Sequence, residues 1–154
     1  MKQVIIKKVT EDNYNQFLCL TEWRRTSVKP RGETKFKLAL EDDRIGLFDL
    51  VEKDLMHIYM AIIDEEVAGY VSAAVIPKPD KRIGTMFEDE LWVPEEYRNN
   101  GIARKLMNKV IESSEEMGLW KTRLYVDVEN LAGINCYESV GMKREEGSCY
   151  FYQK

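Results

Sequence analysis

YRNNGIARKLM (residues 97–107) sets an arginine, two asparagines and a glycine directly ahead of an amphipathic helix. A helix N-terminus carries unpaired amide donors and the positive end of the helix dipole, so backbone alone can hold an anion there. To curl its amides around a pyrophosphate, the chain needs residues that accept unusual backbone angles. Gly101 has no Cβ, Ala103 is small, and Asn99 and Asn100 tolerate left-handed conformations better than most. Taken alone, Arg-x-x-Gly-x-Ala is equally the spacing of a plain strand-to-helix turn. A Walker loop would require Gly-Lys-Ser/Thr and a dinucleotide fingerprint a run of spaced glycines, and neither is present.

Working outward, Ala103, Leu106, Met107, Val110, Ile111, Ser114 and Met117 fall on one helical face, which predicts a helix over 101–117 stopped by Gly118. Upstream, HIYMAII and VAGYVSAAVI flank the acidic turn Asp64-Glu65-Glu66 and read as a hairpin, followed by a third strand over 84–93, GTMFEDELWV, that ends at Pro94. VIIKKV at 4–9 reads as a strand leading into a helix capped by Thr10 or Asp12, with Phe17, Leu20 and Trp23 at helical spacing until Pro30 and Gly32. A second helix is expected within 35–53. Downstream come strand WKTRLYVDV, helix LAGINCYESV ended by Gly141, and a last strand toward SCYFYQK. The order is strand, two helices, three strands, helix, strand, helix, strand: an α/β (α+β) chain whose hairpins demand antiparallel pairing.

A length of 154 residues suits a single domain over 1–154, and 44% hydrophobic with 32% charged residues is a globular composition. No apolar run approaches the roughly 20 residues of a membrane helix, and the N-terminus has no signal-peptide pattern, so no membrane association and a cytoplasmic location are expected. A net charge of −4 argues against a nucleic-acid partner. Cys19, Cys136 and Cys149 are an odd set without metal-ligand spacing, which predicts thiols rather than a disulfide framework, and no metal site. Charge is nonetheless uneven: Arg24, Arg25, Lys29, Arg31, Lys35 and Lys37 crowd residues 24–37 against one acid, Glu33. That basic loop hints at an acceptor carrying a carboxylate or phosphate, with a solvated loop as the plainer reading.

The segment LWVPEEYRNNGIARKLMNKVIESSEEMG resembles the acyl-CoA pyrophosphate motif of the GNAT superfamily of N-acyltransferases, with its core at Arg98, Gly101 and Ala103. VENLAGINCYESVGM resembles that family's following motif, in which Asn130 leads to Tyr137 and then Gly141. Asn99 stands where the family often has glycine, and Met142 where it often has phenylalanine. The resemblance implies a mostly antiparallel central sheet splayed between its fourth and fifth strands, with helices on both faces and a β-bulge in the fourth strand. It implies that the amides of Arg98, Asn99, Asn100, Gly101, Ile102, Ala103 and the neighbouring Arg104 bind the pyrophosphate of acetyl-CoA. The backbone of Leu91, Trp92 and Val93 would pair with the pantetheine, and Asn130 would cap a helix, contact the cofactor arm, or do both.

Transfer of an acetyl group to an amine needs a neutral amine, a held carbonyl and a proton for the departing thiolate. The resemblance makes Tyr137 the general acid, with a backbone amide near Val93 as oxyanion donor. For the base, Glu88, Asp89 and Glu90 stand just before the cofactor strand. Glu90 is the expected choice, a charged strand end facing water the alternative. Strand alternation puts Glu88 and Glu90 on one side and Asp89 on the other unless a bulge shifts the register. His57 is expected to be structural and Cys136 to pack. The chain is thus expected to acetylate a primary amine, small-molecule or peptide, by direct transfer in a ternary complex. The alternatives are a protein N-terminal or lysyl acetyltransferase and a non-catalytic acyl-CoA-binding module. A homodimer is compatible with the sequence.

Overall fold

In the strand Met56–Ile63, apolar and aromatic residues run without a polar break from Ile58 on, and every residue from His57 to Ile63 is buried. Such a strand must be covered on both faces. Alternation divides it: Ile58, Met60 and Ile62 pack with Tyr14, Phe17, Leu18 and Leu20, while Tyr59, Ala61 and Ile63 pack with Ile102, Leu106, Met107 and Val110. Each fully buried aliphatic side chain contributes about 1.5–3 kcal/mol, so these two clusters fix a helix to either side of the sheet.

The computed structural model describes residues 3–31, 53–148, 150 and 152–153. Strand β1 (Ile5–Lys8) is followed by a 3-10 turn (Glu11–Asn13) and helix α1 (Tyr14–Thr26). Strands β2 (Met56–Ile63), β3 (Glu66–Pro77) and β4 (Gly84–Trp92) come next. A second 3-10 turn (Glu95–Tyr97), helix α2 (Ile102–Glu116), strand β5 (Lys121–Arg123) and helix α3 (Leu131–Ser139) complete the order. Among the described residues the five strands form one sheet in chain order, antiparallel throughout except for the parallel β4–β5 pair. Helix α1 covers one face and α2 the other. This is the mixed, mostly antiparallel sheet that the sequence led us to expect. No helix among the described residues is long and apolar enough to cross a membrane.

The local signals act with some displacement. Thr10 and Asp12 are not the N-cap of α1, because the Thr10 amide donates to the Asn13 side chain (2.8 Å) and closes a 3-10 turn first, so the helix begins at Tyr14. It ends at Thr26, before Pro30, where Ser27 turns left-handed and its amide reaches the Trp23 carbonyl (2.8 Å). The β2–β3 turn is two residues, Asp64 and Glu65, both at positive φ, and Glu66 is already in the strand. Such a turn matches the twist of the strands it joins. Gly118 at φ 65° terminates α2 as expected.

Strand β5 holds only three of the nine residues of WKTRLYVDV. Its ladder pairs Thr85, Met86 and Phe87 with Lys121, Thr122 and Arg123 and stops, although β4 runs on to Trp92. An alternating sequence stays a strand only while a partner lies beside it, and here the partner diverges. The described residues of the expected last strand, with Tyr150 and Tyr152 strongly exposed, belong to no strand. Cys149, the expected helix within 35–53 and the latter part of the basic loop lie outside the described residues.

Candidate active site

Among the described residues the divergence of β5 leaves β4 unpaired on one side from Glu88 to Trp92, which is the splay expected between strands four and five. A bulge sits in that segment. Ser72 pairs with Glu90 and the next residue, Ala73, with Glu88, so Asp89 is the extra residue on β4. It overturns the simple alternation: Glu88 and Glu90 face opposite sides of the sheet, because β3 has one residue opposite two.

Glu88, alongside Ala73, lies on the α2 face and is 3% exposed. No hydrogen bond or ion pair among the described residues reaches its carboxyl. Burial, with the negative charges of Asp89 and Glu90, pushes it up to about 7. Glu90, the residue expected to be the base, lies on the α1 face. It accepts the Tyr70 hydroxyl and forms an ion pair with Arg24 of α1.

Tyr137 comes from α3 and packs half-buried on the same cluster as Met86, Ile102 and Met107. Burial raises its phenol well above the usual tyrosine range, and the negative charge of Glu88 adds to this, as does that of Cys136. The acid and the buried carboxylate thus feel each other across the fork. Helix α3 is placed by Asn130, whose Oδ1 accepts the Gly133 amide (2.9 Å). A side chain at Gly133 would collide with Asn130 at 2.7 Å, so that glycine lets the cap fold onto the helix. Cys136, beside Tyr137, has a thiol raised by burial and so is a poor nucleophile.

The loop over residues 98–101 has the curl its residues permit. Asn99 (φ 62°) and Gly101 (φ 71°) are both left-handed, which turns successive amides to one side ahead of α2. Gly101 is the N-cap and supplies no side-chain acceptor to the first turn, so those donors remain for a ligand. The loop is fixed from below: Arg98 Nε donates to the Val93 carbonyl (3.1 Å), and Asn100 Nδ2 to the carbonyls of Tyr97 (3.1 Å) and Arg98 (3.0 Å). Ile102 is 1% exposed, so it can offer a ligand only its amide, and its side chain anchors the helix. Ala103 follows within the first turn and Arg104 is exposed there. Leu91 and Val93 lean on the α2 side, whereas the Trp92 ring turns to the α1 side against Trp23 and Tyr70, which leaves the strand's backbone edge toward the slot.

Sequence reasoning missed two features that hold this site together. A Cβ at Gly69 would lie 2.9 Å from the Trp92 carbonyl oxygen and 3.1 Å from Val93 Cγ2, so its absence lets β3 approach the end of β4. Lys29 sits over the rings of Trp23 (5.0 Å) and Tyr97 (5.3 Å), beside Glu96 (3.2 Å) and Glu66 (3.3 Å), and ties the end of α1 to the turn before the loop. Glycine inside an alternating strand was the available signal for the first. The second had none.

His57 is 3% exposed and lies in one cross-strand row with Glu88, both pairing with Ala73 of β3; Nε2 donates to the Asp54 carbonyl (3.0 Å), and Tyr59 beside it bonds Ser113 (2.6 Å). Burial lowers its pKa, so it stays neutral and structural.

The space around Gly101 is open, the nearest atom to an added Cβ being Arg104 Nη2 at 3.9 Å. Gly101→Val should therefore keep the fold, cost about 1–2 kcal/mol of left-handed strain, and weaken CoA affinity at least tenfold as measured by calorimetry. Unchanged affinity would remove this loop from the cofactor site.

The Acetyltransferase (GNAT) family model matches residues 18–142. N-acetyltransferase 8 of Homo sapiens is 28% identical over 93 residues, covering 60% of this chain and 40% of that protein. An uncharacterised N-acetyltransferase of Methanocaldococcus jannaschii is 35% identical over 57 residues, 37% of this chain and 25% of that one. The chain therefore spans less than half the length of these curated relatives. Among solved structures, the aminoglycoside acetyltransferase meta-AAC0020 from an uncultured soil metagenomic sample superposes with a TM-score of 0.78 at 17% identity, over 98% of this chain and 95% of that one. The ribosomal-protein-alanine N-acetyltransferase of Brucella melitensis biovar Abortus 2308 gives 0.69 at 18%, over 98% and 100%. These last two establish a common fold. The family match encloses the bulged strand, the left-handed loop and Tyr137 together, and on that ground the chain belongs to the GNAT acetyltransferase family.

Proposed function

We propose that the chain is an N-acetyltransferase that moves an acetyl group from acetyl-CoA to a primary amine by direct attack in a ternary complex. The observation that carries this reading is the fork itself: a near-neutral buried carboxyl, Glu88, and a half-buried phenol, Tyr137, face one slot beside an uncapped, left-handed helix entrance.

Acetyl-CoA supplies an activated thioester. The amides of residues 98–104 hold its diphosphate, the edge of Leu91–Val93 pairs with its arm, and the amide near Val93 faces the developing oxyanion. An alkylammonium is mostly charged at neutral pH and must lose a proton before it attacks. Glu88 is better suited to receive that proton than Glu90, directly or through a water. Its carboxyl is unengaged and matched to neutral pH, while Glu90 is already held by Tyr70 and Arg24. Tyr137 keeps its proton until the thiolate departs. Burial is the main cause of the phenol's raised pKa, and as Glu88 becomes neutral the charge that adds to it disappears, so uptake at one residue makes release at the other easier. Cys19 and Cys136 are in no disulfide, which fits a cytoplasmic setting.

The test is thiol release from acetyl-CoA across a panel of amines, amino acids and peptides. Acceptor-dependent release with a matching acetylated product is expected. CoA binding without release on any member would instead favour a binding module.

A further inference from the structure

Residues 98–101 have to be held in an unfavourable shape from outside. Arg98, Asn99 and Asn100 are exposed, so no buried side chain among them seats the loop, and Asn99 at φ 62° is left-handed without being glycine. Backbone of that kind persists only where its surroundings over-determine it. At the helix end the anchor is Ile102, 1% exposed. At the entry, Arg98 Nε reaches the Val93 carbonyl (3.1 Å), and the side chain that seats the chain is Tyr97. Its amide donates to the Pro94 carbonyl (2.9 Å) and its carbonyl accepts Asn100 Nδ2 (3.1 Å).

What holds Tyr97 comes from a distant part of the sequence. Lys29 follows the end of α1 at Thr26, and its side chain is only 20% exposed. Its ammonium meets three oxygens: Glu96 Oε1 (3.2 Å), Glu66 Oε2 (3.3 Å) and the Tyr97 hydroxyl, to which it donates (3.4 Å). It also stands over the rings of Trp23 (5.0 Å) and Tyr97 (5.3 Å). Trp23 in turn packs edge-on with Tyr97 (6.4 Å) and Trp92 (5.8 Å), which joins this cage to the end of β4. A lysine ammonium has three donors, and with three oxygens around it none is left for a phosphate. The pairs Arg25–Glu22 and Lys109–Glu112 link neighbours on one helix and contribute little. Lys29 instead ties α1, the start of β3 and the turn before the loop to one another, and a cation held against two rings with much of its water removed contributes more.

We propose that Lys29 is a positioning residue for the acyl donor: by clamping Tyr97 it holds residues 98–101 in their left-handed curl, and so sets the affinity for the diphosphate without touching it. The proposal rests on the reading of that loop as the acetyl-CoA site and adds the residue that prepares it. Loss of the clamp removes no ligand contact. It frees the loop to sample shapes that cannot bind, and the apparent affinity falls with the fraction of molecules still curled.

The experiment is a double-mutant cycle on CoA affinity, read by calorimetry in the wild type, Lys29→Met, Gly101→Val and the double variant. Methionine keeps an apolar stem against Trp23 and Tyr97 and removes the charge. Glu66 and Glu96, with side-chain exposures of 46% and 52%, are then left hydrated rather than stranded, so the fold persists. Lys29→Met should weaken CoA by about tenfold, as for a loop that is curled in about a tenth of the molecules. Gly101→Val already spoils the same curl, so adding Lys29→Met to it should weaken CoA by no more than about threefold further. A residue that merely supports the fold would lose the same factor in both backgrounds. Undiminished CoA affinity in Lys29→Met, or independent losses that multiply in the double variant, would overturn the proposal while leaving the acetyltransferase reading in place. A wild-type protein that binds no CoA would sink the cofactor reading, and the clamp with it.

Discussion

Tyr137→Phe is expected to lower kcat by about a hundredfold while acetyl-CoA affinity stays within a factor of two or so. The phenol makes no hydrogen bond among the described residues, so its removal strands no partner, and the ring that packs on Met86, Ile102 and Met107 is retained. The loss should therefore fall on the chemical step. A hundredfold sits at the low end for general acid catalysis because a thiolate is already a tolerable leaving group, and it corresponds to about 2.7 kcal/mol of transition-state stabilisation. The diagnostic is a leaving-group series. If Tyr137 protonates the departing sulfur, the variant should be hurt least with donors whose thiols are most acidic. Equal losses across the series, or an unchanged kcat, would remove Tyr137 from that role.

The fold was legible where one periodicity dominates. The two interleaved sets in β2, Ile58 with Met60 and Ile62 against Tyr59 with Ala61 and Ile63, are plain in HIYMAII once a helix is granted to each face. The stripe of α2 is equally plain. Of the loop, the left-handed backbone was legible in the residue types Asn99 and Gly101, whereas the role proposed for Tyr137 rests on the family resemblance and not on its spacing. What could not be read was register. Nothing about the Asp89 side chain marks it as the bulged residue; that follows from how β3 pairs with β4, a long-range choice. One extra residue set Glu88 and Glu90 on opposite faces, and with that the base we propose passes from Glu90 to Glu88. The short β5 is the same kind of failure, since TRLYVDV alternates well but loses its neighbour after Arg123.

That exchange makes Glu88→Gln the sharper experiment, because two separate readouts move in predictable directions. Turnover should fall by about a hundredfold or more. The wild-type activity should rise with pH through a limb near 7 as the carboxylate forms, and this limb should vanish in the variant. Glu90→Gln, by removing one of the charges that hold Glu88 up, should move the same limb to lower pH.

Stability provides the second readout. In the unfolded chain Glu88 ionises near the ordinary 4.5, and in the folded chain near 7. Below 4.5 both states hold the proton and the native carboxyl carries no ionisation penalty. Between these values the unfolded chain binds fewer protons than the native one, so native stability falls as pH rises; above 7 the loss is complete at about 3 kcal/mol. Glutamine is neutral throughout and escapes that loss, while its buried amide resembles the protonated acid closely enough to cancel at low pH. Denaturant unfolding at about pH 5 and about pH 8 should therefore show the variant close to wild type at the first and more stable by up to about 3 kcal/mol at the second. An enzyme that becomes slower and more stable together is what a carboxylate held against its own ionisation predicts. Parallel stability curves would mean that Glu88 is not perturbed. An intact limb near 7 in the variant would assign the base elsewhere.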